Sequence, residues 1–251
     1  MAGNTAPLSY SAALSSGSNS NTTTTSAPAP RQQAQPPPKH EQHTPHPAPR
    51  AKRAPSPPHK PHTASPNEPV YILTLQTSAP LHAHMTALRT RYFPAHLNKL
   101  SAHLTLFHAL PESKLRGTVI PSIQNLVQRT QRFELRCGRA FALKKGIAIA
   151  VERCGGGARA QGVQRVLRDA WGAEGWLSEQ DAGGGGRVHY TVMNKVDDAA
   201  VVAAALAEVQ REFEGEVGWA EGLGLWRYER GYWVWVEGFS FSGGGDKGRE
   251  L

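Results

Sequence analysis

The feature that most constrains this chain is a four-residue pattern that occurs twice. His-x-Thr-x, with apolar residues at both x positions, stands at residues 103–106 and again, 86 positions later, at 189–192. Each copy lies in a run typical of a β-strand, which we predict over 102–110 and 187–193. One copy alone is weak evidence, since a histidine in a strand is more often a packed surface residue. Two copies at equivalent places call for a shared explanation.

Alternation along a strand puts the polar residues of each copy on one face. Side chains two positions apart point the same way, so His103 shares a face with Thr105, and His189 shares one with Thr191. The intervening apolar residues then point into a buried layer. We therefore predict that two imidazoles and two hydroxyls converge on one small anionic group.

The order of elements around the two patterns is duplicated as well. Around the first copy we predict strand 70–77, helix 81–92, the motif strand, helix 114–130 and strand 133–143. Around the second copy we predict strand 146–152, helix 163–171, the motif strand, helix 198–213, and strands 223–229 and 232–241. Asp197 is the predicted cap of helix 198–213, and Arg230-Gly231 is the predicted hairpin turn between the last two strands. The repeat predicts two lobes related by a pseudo-twofold axis.

We predict an α+β fold in which two antiparallel sheets flank a central cleft, with helices outside. Residues 68–241 form this domain and 242–251 a flexible C-terminal tail. The two motif strands would then line equivalent sides of the cleft.

Residues 1–67 differ in composition from the rest of the chain. They contain 14 of the 19 prolines and five of the 11 histidines, with hardly any apolar run. Such a segment cannot bury enough apolar surface to offset its ordering entropy, so we predict that it is disordered. It carries +5 of the net charge of +8, which leaves the domain with +3. The tail either helps to hold RNA or another polyanion or is a solubilising extension.

Several classes of protein are disfavoured by composition. Two cysteines are too few for a disulfide framework or a cysteine zinc site. The chain has no run near the ~20 apolar residues of a membrane span, and its N-terminus lacks the apolar core of a signal peptide. We find no Gly-x-x-x-x-Gly-Lys loop and no clear carboxylate cluster for paired magnesium. We therefore expect a monomer in the cytosol or the nucleus, with no membrane association, metal or cofactor.

Two histidines suit one kind of chemistry. Imidazole has an ordinary pKa of about 6.5 and serves as base or acid near neutrality. One ring on each side of a phosphorus fits in-line displacement: one removes a proton from the attacking oxygen and the other protonates the departing oxygen. The threonine hydroxyls can donate to the non-bridging oxygens. Such a pair predicts a bell-shaped pH dependence of kcat/KM with limbs around neutrality.

The motif strands, HLTLFHALP and VHYTVMNKV, resemble those of the two-histidine (2H) phosphoesterase superfamily, and most closely its 2′-5′ RNA ligase-like branch. The closing segment LWRYERGYWVWVEGFSF is similar to the C-terminal strands of that branch. The resemblance covers 68–241 and implies a bilobal fold with a central cleft, a 2′,3′-cyclic phosphate or 2′-5′ linkage as substrate, and no metal requirement. It implies His103 and His189 as the acid/base pair and Thr105 and Thr191 as phosphate-binding residues.

Three further residues are candidates for substrate contact. Lys195 would neutralise a phosphate, and Tyr228 or Tyr232 would stack on a nucleobase. The alternatives are a solvated lysine at a strand end and aromatic side chains of the core. His108 alternates to the face opposite His103 and is expected to be structural or exposed. The glycine runs at 155–157 and 183–186 lack the flanking pattern of a phosphate loop, so we expect flexible insertions.

The sequence thus predicts an RNA-processing phosphodiesterase or reversible 2′-5′ ligase that acts on RNA ends or on nucleotide cyclic phosphates. The alternative is a non-catalytic RNA-end or nucleotide-binding module that uses the same cleft. Hydrolysis versus ligation, and which histidine is the base, stay open at this point.

Overall fold

The computed structural model describes residues 68–183 and 186–243. The predicted tail 1–67 lies outside the described residues. So do Gly184 and Gly185 of the second glycine run and residues 244–251 of the predicted C-terminal tail.

The described elements follow the duplicated order. The strands are β1 (Val70–Thr77), β2 (Leu104–Pro111), β3 (Phe133–Leu143), β4 (Gly146–Val151), β5 (His189–Met193), β6 (Glu216–Glu229) and β7 (Tyr232–Ser240). The helices are α1 (Ala79–Tyr92), α2 (Glu112–Lys114), α3 (Ile120–Arg129), α4 (Ala158–Gly172), α5 (Glu179–Ala182) and α6 (Ala199–Glu212). The order β1-α1-β2-α3-β3 is therefore repeated as β4-α4-β5-α6-β6.

The strands form one antiparallel sheet in the order β2-β1-β6-β3-β4-β5, with β7 paired to β6. Exchanging β1, β2 and β3 with β4, β5 and β6 reproduces the same order from the other edge. A pseudo-twofold axis therefore passes between β3 and β6, and each third strand pairs with the first strand of the other copy. The predicted antiparallel α+β architecture is confirmed.

The two sheets of the prediction are joined into one by β6. This strand has 14 residues, whereas we predicted only 223–229. Its first part pairs with β3 and its second part with β1. Gly218 and Gly222 interrupt the alternation of apolar residues in the first part of β6. The sequence pattern therefore did not predict this part as a strand. Both positions exclude a side chain, since a Cβ would lie 2.6 Å from Leu81 Cβ at Gly218 and 2.3 Å from Phe239 O at Gly222.

The core lies between the sheet and the four longer helices. In β2, Leu104 and Leu106 are fully buried, and in β5 Tyr190 and Val192 are buried as well. The alternation predicted for the motif strands therefore holds at these positions. Every helix of the described residues is too short or too polar to cross a membrane.

Some predicted boundaries were wrong. β2 begins at Leu104, so His103 immediately precedes the strand, and β5 begins at His189. The predicted helix 114–130 is divided into α2, a π-turn over Leu115–Val119 and α3, with a proline in the first turn of α3. Helices α1 and α4 begin earlier than predicted, at Ala79 and Ala158.

The cap of α6 and the first glycine run also differ from the prediction. Asp198, not Asp197, caps α6, because its carboxylate accepts from the N–H of Ala200 at 2.9 Å. We predicted a flexible insertion at the glycine run 155–157. The run forms a tight turn against β3, where a Cβ on Gly156 would lie 2.0 Å from Glu134 O. The predicted hairpin turn between β6 and β7 is present, with positive φ at both Arg230 and Gly231.

Candidate active site

The two motif histidines make the same hydrogen bond. Nδ1 of His103 lies 2.8 Å from Ser101 O, and Nδ1 of His189 lies 2.7 Å from Arg187 O. A carbonyl oxygen only accepts, so both Nδ1 atoms donate. In the neutral ring Nε2 is then the free acceptor, and each imidazole is oriented for proton transfer through that atom.

The two motif threonines are half-buried, like the histidines two positions before them. Thr105 lies opposite Thr74 of β1 in the sheet, which places both hydroxyl-bearing side chains on the motif face. Thr191 lies opposite Ala148 of β4. The Thr hydroxyl is a small donor, suited to an anionic oxygen on this face.

A buried arginine joins the two motif segments. Arg89 of α1 is only 5% exposed. Its Nη1 donates to Thr191 O at 2.7 Å, while its Nε donates to Asn98 Oδ1 at 2.9 Å and to Leu100 O at 3.0 Å, just before His103. β2 and β5 are opposite edges of the sheet order, so one guanidinium reaches segments from both edges. Burial lowers the pKa of Arg89 to about 10, which leaves it charged at neutral pH.

A second buried charge makes the reciprocal connection. Asp181 of α5, in the second copy, is 1% exposed. Its carboxylate accepts from the main-chain N–H groups of His108 at 2.9 Å and Ala109 at 3.0 Å, both in β2 of the first copy. Among the described residues, Arg89 and Asp181 are the buried charged side chains. Each comes from one copy of the repeat and binds the main chain of the other copy's motif strand.

His103 is desolvated on one side by an aromatic ring. The centroid of the Trp233 ring lies 4.3 Å from that of the imidazole, with an angle of 46° between the planes. Burial, with a smaller contribution from the charge of Arg89, lowers the pKa of His103 from 6.5 to about 4. The ring is therefore neutral at physiological pH, and its free nitrogen is available to accept a proton.

His189 has a different neighbour. It meets the ring of Phe141 edge-on, with 5.8 Å between centroids and 77° between planes. The guanidinium of Arg187 lies over the same ring, 5.5 Å from its centroid. The ring of Phe141 therefore contacts both the second imidazole and a guanidinium.

The aromatic residues nearest the turn of the β6–β7 hairpin are half-buried or exposed, so the alternative that they belong to the core is wrong. Trp226 pairs with Trp235 and Tyr228 with Trp233, so these four side chains share one face. We call them the aromatic face. All four are half-buried or exposed, and Trp226 donates from Nε1 to Thr74 Oγ1 at 2.9 Å. The aromatic face is thus continuous with the first motif.

Three predicted residues lie elsewhere. Lys195 is exposed in a left-handed turn with φ 63°, beyond the end of β5 opposite to His189. Tyr232 is exposed, and the Nζ of Lys99 lies 4.8 Å from the centroid of its ring. The register between β1 and β2 is irregular after Thr105. The strict alternation of side chains that placed His108 on the face opposite to His103 therefore does not hold. His108 contacts the Asp181 carboxylate, with 3.2 Å between Nδ1 and Oδ1.

Sequence analysis missed Arg89, Asp181 and the contact of Trp233 with His103. Arg89 had a signal, since it continues the stripe of Leu81 and Met85 at i+8 and all three are buried. Trp233 had one too, because aromatic residues alternate along both strands of the hairpin. Asp181 had none, as it stands in a four-residue helix before a glycine run.

Comparison with known proteins identifies the family. A model of the 2′-5′ RNA ligase superfamily matches residues 77–232, which is more than half of the chain. The chain belongs to the 2′-5′ RNA ligase superfamily. The resemblance seen in the two motif strands is thereby confirmed, and the matched superfamily region contains both of them.

Solved structures of low sequence identity also align with this superfamily member. TT0787 of Thermus thermophilus aligns with a TM-score of 0.48 and 16% identity, over 70% of this chain and 100% of its own. E. coli LigT complexed with 3′-AMP aligns with a TM-score of 0.46 and 14% identity, over 69% and 99% of the respective chains. A comparison with curated proteins finds no match.

Proposed function

We propose that this protein is a metal-independent phosphodiesterase or reversible 2′-5′ RNA ligase-like enzyme. Its substrates are 2′,3′-cyclic phosphates, at RNA ends or on nucleotides, or 2′-5′ phosphodiester linkages. The observation that carries the proposal is that one guanidinium, Arg89, binds both motif segments. Superfamily membership and the matching Nδ1 hydrogen bonds of His103 and His189 support it further.

The proposed reaction is an in-line displacement at phosphorus. Nε2 of one histidine takes a proton from water, and the water oxygen bonds to phosphorus. The bond from phosphorus to the ribose 2′ or 3′ oxygen breaks, and the other histidine gives its Nε2 proton to that oxygen. The product of a cyclic phosphate is a ribose phosphate monoester. If an RNA hydroxyl replaces water, the same steps form a phosphodiester, which is ligation.

The low pKa of His103 favours it as the base in the free protein, which makes His189 the acid. Charge develops on the non-bridging oxygens in the transition state. Thr105 and Thr191 donate hydrogen bonds to these oxygens in the proposed complex. The buried charge of Arg89 contributes a positive potential at His103.

The aromatic face provides a surface for a nucleobase next to the reacting phosphate. Tyr228 and Trp233 are directly opposite each other, and Trp233 contacts His103. Base stacking on an aromatic side chain contributes about 1–3 kcal/mol. Of the two tyrosines predicted as substrate contacts, Tyr228 is therefore the better candidate, while Tyr232 and Lys195 have less support.

A substrate panel in the presence of EDTA tests the proposal. It contains nucleoside 2′,3′-cyclic monophosphates, an RNA with a 2′,3′-cyclic phosphate end and a 2′-5′ linked dinucleotide. We expect turnover by the wild type and a loss of about 10²–10⁴-fold in His103→Ala and His189→Ala. Thr105→Val and Thr191→Val should each lose about 10²-fold in kcat.

His96→Ala is the matched control, since His96 is an exposed histidine of the first copy. It should keep full activity, and circular dichroism should show that all variants are folded. If the protein binds RNA ends but turns over no substrate of the panel, the proposed enzymatic activity is wrong and the protein is a binding module. Ligation is tested separately, by adding an RNA with a free 5′-hydroxyl to the cyclic phosphate end.

A further inference from the structure

A small cavity beside the second motif has two arginines in its wall. It encloses about 210 Å³, and its lining residues are Val151, Arg153, Gly157, Gln161, Arg187 and Val188. Pockets that enclose a drug-sized ligand are larger, about 300–1,000 Å³. The volume therefore suits a small group rather than a whole nucleoside.

The charge of the cavity favours an anion. Within residues 68–183 and 186–243, neither Arg153 nor Arg187 forms an ion pair with a carboxylate. Both arginines are exposed and both contribute to the lining of the cavity, so their positive charges favour an anion there. The planar fork of arginine matches phosphate, to which it donates two parallel hydrogen bonds.

The cavity adjoins the proposed reaction centre through Arg187. The main-chain oxygen of Arg187 accepts the Nδ1–H of His189, and both side chains lie against the ring of Phe141. Two residues along an extended chain span about 7 Å. The cavity thus begins within the length of one nucleotide from the His189 imidazole.

We propose that Arg153 and Arg187 form a second phosphate subsite, which binds the phosphodiester next to the reacting one. This inference rests on the proposed function and adds the substrate class: an oligonucleotide end with at least one further phosphate. A mononucleotide would leave the subsite empty.

Two substrates that differ in phosphate number test the subsite. One is a nucleoside 2′,3′-cyclic monophosphate, and the other is a trinucleotide that ends in a 2′,3′-cyclic phosphate. In Arg153→Gln and Arg187→Gln, KM for the trinucleotide should rise about tenfold, while kcat stays within twofold. The kinetics of the mononucleotide should stay within twofold. Each variant should also lower the salt dependence of trinucleotide binding, by about 0.7 in the slope of log K against log salt concentration.

Arg165→Gln is the matched control, since Arg165 is an exposed arginine of α4 outside the cavity. Arg165→Gln should leave KM and kcat unchanged for both substrates. Equal effects of the cavity variants on both substrates, or no effect on either, would overturn the subsite while leaving the proposed function intact.

If the proposed function is wrong, the result is different: the wild type turns over neither substrate. The subsite is then tested by fluorescence anisotropy with a labelled trinucleotide 3′-phosphate. Weaker binding and a smaller salt slope in the two cavity variants would support it. Unchanged affinity in both would overturn it.

Discussion

Nη1 of Arg89 lies 2.7 Å from the main-chain oxygen of Thr191, 102 residues further along the chain and in the other copy of the repeat. The same guanidinium binds Leu100 O, three residues before His103. The buried side chain of Arg89 therefore helps to fix the relative position of the two motif strands. The reciprocal contact of Asp181 with β2 fixes the other end of this arrangement.

Replacing Arg89 should separate the two motifs. Arg89→Met removes the donor that Thr191 O and Leu100 O share, and a buried group that loses its partner costs about 1–3 kcal/mol. Since a misplacement of about 1 Å can cost 10²-fold in rate, we expect kcat/KM for a cyclic nucleotide to fall by about that factor. Arg89→Lys should recover little, because an ammonium lacks the planar fork.

Arg91→Met provides the control for this prediction. Arg91 lies on the same helix, but its pairs with Glu208 and Glu212 are on the surface. Exposed pairs contribute about 0–1 kcal/mol, so activity should be unchanged. Equal activity in the Arg89 and Arg91 variants would contradict the role of Arg89 in positioning the motifs.

Asp181→Asn should destabilise the fold. Each carboxylate oxygen of Asp181 accepts one main-chain N–H, from His108 or from Ala109. An amide keeps one oxygen and turns an NH₂ group toward the other donor. We expect a loss of about 1–3 kcal/mol in the free energy of unfolding, measured in urea. Glu179→Gln, on the exposed side of the same helix, should leave the unfolding midpoint unchanged.

Local patterns predicted most elements because a strand or helix reveals its buried face in its own residues. Leu104 and Tyr190 are buried as alternation requires, and α1 buries Leu81 and Met85 at i and i+4. The duplicated order followed from these elements alone. The strand that joins the two copies, β6, had a weaker sequence pattern. It carries glycines at positions where neighbouring atoms lie too close for a side chain.

The acceptors of Arg89 also explain why its role was not predicted. Two of its three partners are main-chain oxygens, Leu100 O and Thr191 O. A main-chain oxygen is the same for every residue type, so no sequence pattern marks it as a partner. The motif histidines could be predicted because their chemistry resides in the side chains themselves. The low pKa of His103 likewise depends on remote residues, chiefly through burial and through Arg89.

The pH dependence of kcat/KM distinguishes the roles of the two histidines. A base must be unprotonated, so with a pKa of about 4 for His103 the acidic limb should lie well below 6.5, not around neutrality. If His103 is instead the acid, it must hold a proton, and kcat/KM should already decline as pH rises above about 4. Rates measured from pH 4 to 9 separate these outcomes.

Stability must be followed in the same pH series. The unfolded chain binds this proton near the ordinary pKa of 6.5, and the folded chain binds it only near 4. The folded state therefore loses stability as pH falls through this window. Far-UV circular dichroism at each pH identifies any loss of rate that is due to unfolding.

Trp233→Ala tests whether one ring serves both substrate and base. Loss of stacking should raise KM for nucleotides about tenfold or more. Removal of the ring also exposes His103 to water, so its pKa should rise toward 6.5, which NMR titration of the His103 ring measures. Trp219→Ala is the control, since Trp219 is 41% exposed and packs against Arg132 instead. If KM rises while the His103 pKa stays near 4, Trp233 binds substrate but does not desolvate the base, and Arg89 and the rest of the fold must do so.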